Sequence, residues 1–178
     1  MEIDDRQVVE QVLAGDVDKY SFIVDRYQQI VANLAYKLCG RSADIEDVTQ
    51  QVFVELYDAL PRFRFDSKLS SFIYRITVNT SCKWIARNKR FVWADSNDSQ
   101  NQVSATERNA EQQVIHEEQL ILLRQAIGRL KEEQRTALVL YNFEGFSYNQ
   151  IAETLQCSLS KVESLIFRAK KSLEKMLR

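Results

Sequence analysis

An all-α fold is what this sequence predicts, and three observations predict it. Only four glycines and one proline occur in 178 residues, no long run alternates apolar with polar side chains, and apolar residues recur at helical spacing instead. Strands and tight hairpins therefore have little to work with, whereas amphipathic helices do. At 45% hydrophobic content, the chain can bury one medium core or two small ones.

The elements follow in order. Tyr20, Ile23, Tyr27, Ile30, Val31, Leu34 and Leu38 keep a helical period from near Asp16 to Gly40, where glycine is a natural stop. A second helix runs from about Asp44 to Leu60 with Ile45, Val48, Val52, Leu56 and Leu60 inward, and Pro61 prevents its smooth continuation. Its outer face carries Asp47, Gln50, Gln51 and Asp58. A third begins near Ser70 or Ser71 and passes Phe72, Ile73, Ile76 and Trp84 toward Arg90, closing an N-terminal domain over 1–93. The stretch 94–113 is polar and nearly without bulky apolar residues. It lacks the burial that would offset its ordering entropy, so it reads as a flexible linker in which only the end has a claim to helix. Periodicity resumes with Val114, Ile115, Leu120, Leu123, Ile127 and Leu130, then Ala137, Leu138, Leu140 and Tyr141, giving a four-helix C-terminal domain over 114–178.

That domain ends in a helix-turn-helix. Ser147 and Gln150 have capping-box spacing, and Ile151, Ala152 and Leu155 supply an inward face. After a break at Gln156, Cys157 and Ser158, the residues Val162, Leu165, Ile166, Ala169 and Leu173 recur inward. Lys161, Glu163, Ser164, Phe167, Arg168 and Lys171 are left outward. A helix of this kind fits a major groove, and Phe167 on its polar face can meet a thymine methyl. The competing reading is a plain helical hairpin with a solvated charged face. Gln156 is an awkward residue for the turn if a left-handed backbone is required there.

The net charge of −1 gives no global basic signal. Its distribution is more telling: Arg62, Arg64, Lys68, Arg75, Lys83, Arg87, Lys89 and Arg90 are accompanied only by Asp66, and a second basic patch covers the last helix. Two patches suggest two contacts with nucleic acid. Catalysis has no visible constellation, with one histidine, no glycine-rich phosphate loop and no nucleophile motif. Cys39, Cys82 and Cys157 form no metal-ligand spacing, so reduced structural thiols and no metal or other cofactor are expected. Asp44, Glu46 and Asp47 are acids at a helix start, favoured by the unsatisfied amides and the macrodipole rather than by a cation. No leader and no apolar run near twenty residues is present, so a cytoplasmic protein without membrane insertion is expected.

Two blocks carry a family resemblance. DIEDVTQQVFVELYDAL at 44–60 with LSSFIYRITVNTSCKW at 69–84 resembles region 2 of the extracytoplasmic-function (ECF) group of the σ70 family of bacterial RNA polymerase σ factors. LKEEQRTALVLYNFEGFSYNQIAETLQCSLSKVESLIFRAKKSL at 130–173 resembles their region 4. The resemblance covers nearly the whole chain and implies a non-catalytic initiation factor that binds core RNA polymerase and directs it to promoter DNA. It implies polymerase contacts by Asp47, Gln50, Gln51 and Tyr57. It also implies capture of a base flipped from the −10 element by the loop Phe63 to Ser70 and the following helix. Phe65, Lys68, Phe72, Asn79, Lys83 and Arg87 are the residues concerned, with Lys89 and Arg90 as further phosphate contacts. An amide can pair with an exposed base edge and an aromatic can support an unstacked base. Phe63 and Phe72 also read as core residues, and for Phe72 the core role is the favoured one, because this family often has tryptophan at its position. Region 4 would read the −35 element through Lys161, Glu163, Ser164, Phe167, Arg168 and Lys171.

The family often has a basic residue at Glu163 and arginine at Leu165. Leu165 fits the inward period; Glu163 either accepts from a cytosine or completes a capping box begun by Ser160. Relatives of this group are often held inactive by an anti-σ partner. The alternatives are a self-sufficient helix-turn-helix activator with an N-terminal sensing or partner-binding domain, and a helical adaptor that does not touch DNA.

Overall fold

The computed structural model describes residues 4–40, 44–88 and 110–177, and every regular element among them is helical. The helices are α1 (Asp5–Leu13), α2 (Tyr20–Cys39), α3 (Ile45–Ala59), α4 (Leu69–Arg87), α5 (Ala110–Gly128), α6 (Glu132–Asn142), α7 (Tyr148–Leu155) and α8 (Leu159–Leu177). The chain divides into two compact units, the first holding α1 to α4 and the second most of α5 to α8. Lys89, Arg90 and residues 94–109 of the expected linker lie outside the described residues, and α5 begins at Ala110, within the end of that stretch.

In the first unit, α2, α3 and α4 pack on one another and bury Ile23, Val31, Leu34, Leu38, Val52, Leu56 and Ile73 almost completely. The apolar period dictates this, because residues three and four apart share a helix face. A three-residue 310 turn over Leu60–Arg62, with Pro61 inside it, ends α3. Sequence reasoning missed α1. It is only nine residues long and its apolar face is the short set Val8, Val9 and Val12, all buried. Asp4 caps it by accepting from Arg6 N, and Gly15 at φ +103° ends it, with Asp16 N donating to Gln11 O at 3.1 Å.

In the second unit, Ile127, Leu130, Leu138 and Ala169 form a core, with Leu123 and Leu173 packed against it. Arg135, 3% exposed, donates to Gly128 O at 3.3 Å and thereby satisfies a carbonyl at the C-terminal end of α5.

Candidate functional site

On α3, Val48, Val52 and Leu56 are committed to the core. Helical geometry then turns Asp47, Gln50, Gln51, Val54, Tyr57 and Asp58 outward, and all are exposed. Tyr57 is held in place by an edge-on contact with Tyr20, ring centroids 5.1 Å apart. Tyr20 in turn donates its hydroxyl to Phe53 O at 2.6 Å. Burial, aided by the charge of Asp58, raises the Tyr20 hydroxyl well above the ordinary tyrosine range, so it remains a donor. Val54, at 56% exposed, is an apolar member of this face that the sequence reading did not single out. Its signal was there: a valine two positions after inward Val52 must point the other way.

The second surface is the loop before α4 and α4 itself. Between Ile76 and Ser81 every side chain is buried except that of Asn79. A polar amide is thus displayed at the one gap in a buried run of helix. Lys68, Lys83 and Arg87 are exposed. Lys83 is already engaged, however, at 3.1 Å from Glu55 Oε2, which also accepts from Thr80 Oγ1 at 3.0 Å. At 56% side-chain exposure for Lys83, this pair holds weakly enough for a phosphate to compete.

The aromatic residues separate into two kinds. Phe63 and Phe72 are buried, with centroids 4.9 Å apart. Phe72, one of the expected DNA contacts, is therefore a core residue, with the Arg75 guanidinium over its ring at 5.1 Å. Phe65 is half-buried, 4.8 Å from Phe63, and holds φ +59°. For a bulky residue that conformation is strained.

The third surface is α8 and its approach. The capping box at α7 is formed as the sequence reads: Ser147 N donates to Gln150 Oε1 at 2.8 Å and Gln150 N to Ser147 Oγ at 3.3 Å. Gln156 adopts φ +51°, the left-handed step that its position demanded. Ser158 caps α8 by accepting from Lys161 N at 3.3 Å. The helix thus starts before Ser160, which excludes the capping-box role for Glu163 and leaves its carboxylate exposed. Lys161, Phe167, Arg168 and Lys171 are exposed and Ser164 is half-buried, while Leu165 packs inward. Phe167 is 67% exposed, an aromatic with no core to fill. Lys161 Nζ donates to Glu133 Oε1 at 2.7 Å, and that hydrogen bond raises the lysine pKa. Glu55 and Glu133 each lie 28 residues from their lysine, so nothing local announced either pair.

Among the described residues no three His, Cys, Asp or Glu side chains gather as metal ligands, and no helix is long and apolar enough to cross a membrane.

Comparison with known proteins assigns both units. Residues 23–91 match the family model for sigma-70 region 2, and residues 120–173 that for sigma-70, region 4. The RNA polymerase sigma-H factor of Pseudomonas aeruginosa is 33% identical, over 97% of this chain and 93% of its own. The ECF RNA polymerase sigma-E factor of Escherichia coli is also 33% identical, over 97% of this chain and 94% of its own. Among solved structures, CnrH in complex with the cytosolic domain of CnrY aligns with a TM-score of 0.66 at 25% identity, covering 97% of this chain and 96% of that one. The sigma factor RpoE from Bartonella quintana, solved with the anti-sigma factor NepR, has the same fold, with a TM-score of 0.62 at 19% identity over 89% of this chain and 96% of that one.

Proposed function

This chain belongs to the ECF group of the σ70 family of RNA polymerase σ factors, and on that premise we propose how its three surfaces divide the work of transcription initiation. The outer face of α3, with Asp47, Gln50, Gln51 and Tyr57, docks on core RNA polymerase. Tyr57 meets the polymerase already ordered by Tyr20, so less rotamer entropy is lost on binding. The loop before α4 and Asn79 capture a base freed from the −10 element, with Lys68, Lys83 and Arg87 against the phosphates. The exposed face of α8 enters the major groove of the −35 element, where Lys161, Arg168 and Lys171 supply charge and Glu163, Ser164 and Phe167 meet base edges.

The observation that carries this reading is the occurrence, in one chain, of region 2 and region 4 matches that between them include all three surfaces. A self-sufficient activator would need a sensing or partner-binding domain where residues 23–91 match region 2. The protein contributes binding and positioning, with the chemistry left to the polymerase, and it works in the cytoplasm where polymerase and promoter are. An anti-σ factor is the expected regulator, since covering exposed Asp47, Tyr57 or Phe167 would silence the corresponding contact.

The test is in vitro transcription with purified core RNA polymerase and this chain as the sole σ factor, on templates selected from genomic fragments. Specific, σ-dependent start sites are expected. Initiation that requires a second σ factor would refute the proposal.

A further inference from the structure

α1 brings a residue to the −10 surface that neither the family resemblance nor the charge pattern assigned. Arg6 places its guanidinium over the ring of Phe65, with Cζ 4.9 Å from the centroid. Phe65 lies 4.8 Å from Phe63, and Phe63 lies 4.9 Å from Phe72, so planar groups follow one another from the core outward: Phe72, Phe63, Phe65, Arg6. The outermost member is a guanidinium whose side chain is 64% exposed. Its Nε donates to Glu10 Oε1 at 2.9 Å, an exposed pair one turn apart that biases the orientation of the plane. A surface arginine ordinarily samples many rotamers; this one has an aromatic ring against one face and a carboxylate at one edge, which favour one orientation.

A second, independent observation sets this row of tilted rings apart from an incidental contact. Phe65 holds a left-handed backbone at φ +59°, a conformation that persists where neighbouring structure over-determines it and that clusters at ligand-binding sites. The same loop exposes Arg62, Arg64 and Lys68, so phosphate-binding charge surrounds the end of the stack. Guanidinium planes, like aromatic rings, accept unpaired bases by stacking.

We propose that Arg6 is a DNA-binding residue whose guanidinium face, backed by Phe65, stacks an unpaired nucleobase of the melted promoter strand. The proposal rests on the reading of this loop as the −10 surface and adds to it a second base position, supplied by α1. The Glu10 carboxylate orients the guanidinium, and Phe65 keeps its plane from collapsing onto the loop.

The experiment uses the full chain assembled with core RNA polymerase. Single-stranded DNA is enriched from a randomised pool, and its affinity is then measured with each position in turn made abasic. Arg6→Ala is expected to weaken binding about five- to tenfold, the low end for loss of one base stack. It should also make one abasic position silent, because the base removed there is the one that Arg6 held. Arg6→Lys keeps the charge without the plane and should bind like Arg6→Ala, with thermal melts of all variants unchanged.

Full binding by Arg6→Lys would reduce Arg6 to a phosphate contact and overturn the proposal. So would an Arg6→Ala loss that stays the same at every abasic position, or no loss at all. Failure of the underlying reading has a different signature: Phe65→Ala and Asn79→Ala would both bind single-stranded DNA as the unaltered chain does.

Discussion

Gln156 follows α7 in a left-handed conformation at φ +51°, with Cys157 N donating back to Ala152 O at 2.9 Å. The corresponding steps after α1 and α2 are taken by Gly15 and Gly40, which adopt positive φ without a Cβ clash. Gln156→Gly should therefore stabilise the folded chain by about 0.5–1 kcal/mol, the relief of ~1–2 kcal/mol of backbone strain less the freedom glycine gives the unfolded chain. Urea unfolding followed by circular dichroism measures it, and a net loss would mean that the glutamine side chain compensates for its own strain. Phe65 has the same backbone sign but the opposite expectation, since glycine there would remove a member of the aromatic stack. At Glu163 the outcome concerns sequence preference. Its carboxylate is exposed and plays no part in capping α8, so Glu163→Lys should leave the melting temperature unaltered while changing which −35 sequences are selected from a randomised library. A well-formed carboxylate contact to cytosine discriminates by roughly 1–3 kcal/mol. An unchanged selected motif would show that Glu163 reads no base.

Among the elements, α1 buries Val8, Val9 and Val12 and also reaches α2 through one carboxylate. Asp5 accepts from Arg26 Nη1 at 2.6 Å and from the Tyr27 hydroxyl at 2.5 Å. Burial first, then the hydrogen bond to Asp5, raises the Tyr27 pKa above the ordinary tyrosine value. A raised folded value means that the neutral tyrosine contributes its full stability below about pH 10, the unfolded value, and loses it as pH rises through the folded one. Alkaline difference spectroscopy should show Tyr27 ionising only with unfolding. Tyr27→Phe should lessen that alkaline sensitivity while costing about 1–2 kcal/mol near neutrality. Simple ionisation of Tyr27 at the ordinary pH in the folded chain would contradict this assignment. For α3 the expectation is one of binding. Asp47 is exposed on a helix whose opposite side is core, so Asp47→Lys should leave helicity intact and weaken association with core polymerase by about tenfold. Undiminished capture of the polymerase by the folded variant would remove Asp47 from the docking face.

For the molecule as a whole, the two proposed DNA contacts reside in separate units. Side chains that share no partner contribute free energies that add. Asn79→Ala is expected to reduce permanganate reactivity near −10 while sparing duplex binding, and Arg168→Ala to do the reverse. The double variant should then lose promoter activity by the product of the two single losses, within about twofold. A loss no greater than that of the worse single variant would show that one contact depends on the other.

Local chemistry made much of this molecule legible from sequence alone. The helical period placed the inward faces of α2, α3 and α8, apart from Ile30 of α2, which is 38% exposed, because which residues share a face depends on 3.6 residues per turn. The box between Ser147 and Gln150 was equally readable, since it is settled within four positions of chain. Tertiary structure alone decided the rest. α1 is too short to declare itself by period, and it is stable where it is because Val8, Val9 and Val12 are buried and Asp5 reaches Arg26 and Tyr27. The engagement of Lys83 by Glu55, of Lys161 by Glu133 and of Phe65 by Arg6 joins residues far apart in the chain. Phe72, for which the core was already the favoured place, packs there against Phe63, and Glu163 had two roles until the observed start of α8 removed one. Helix-forming preferences act within a turn or two of chain, whereas the partner of a side chain is fixed only when helices distant in sequence come to share a surface.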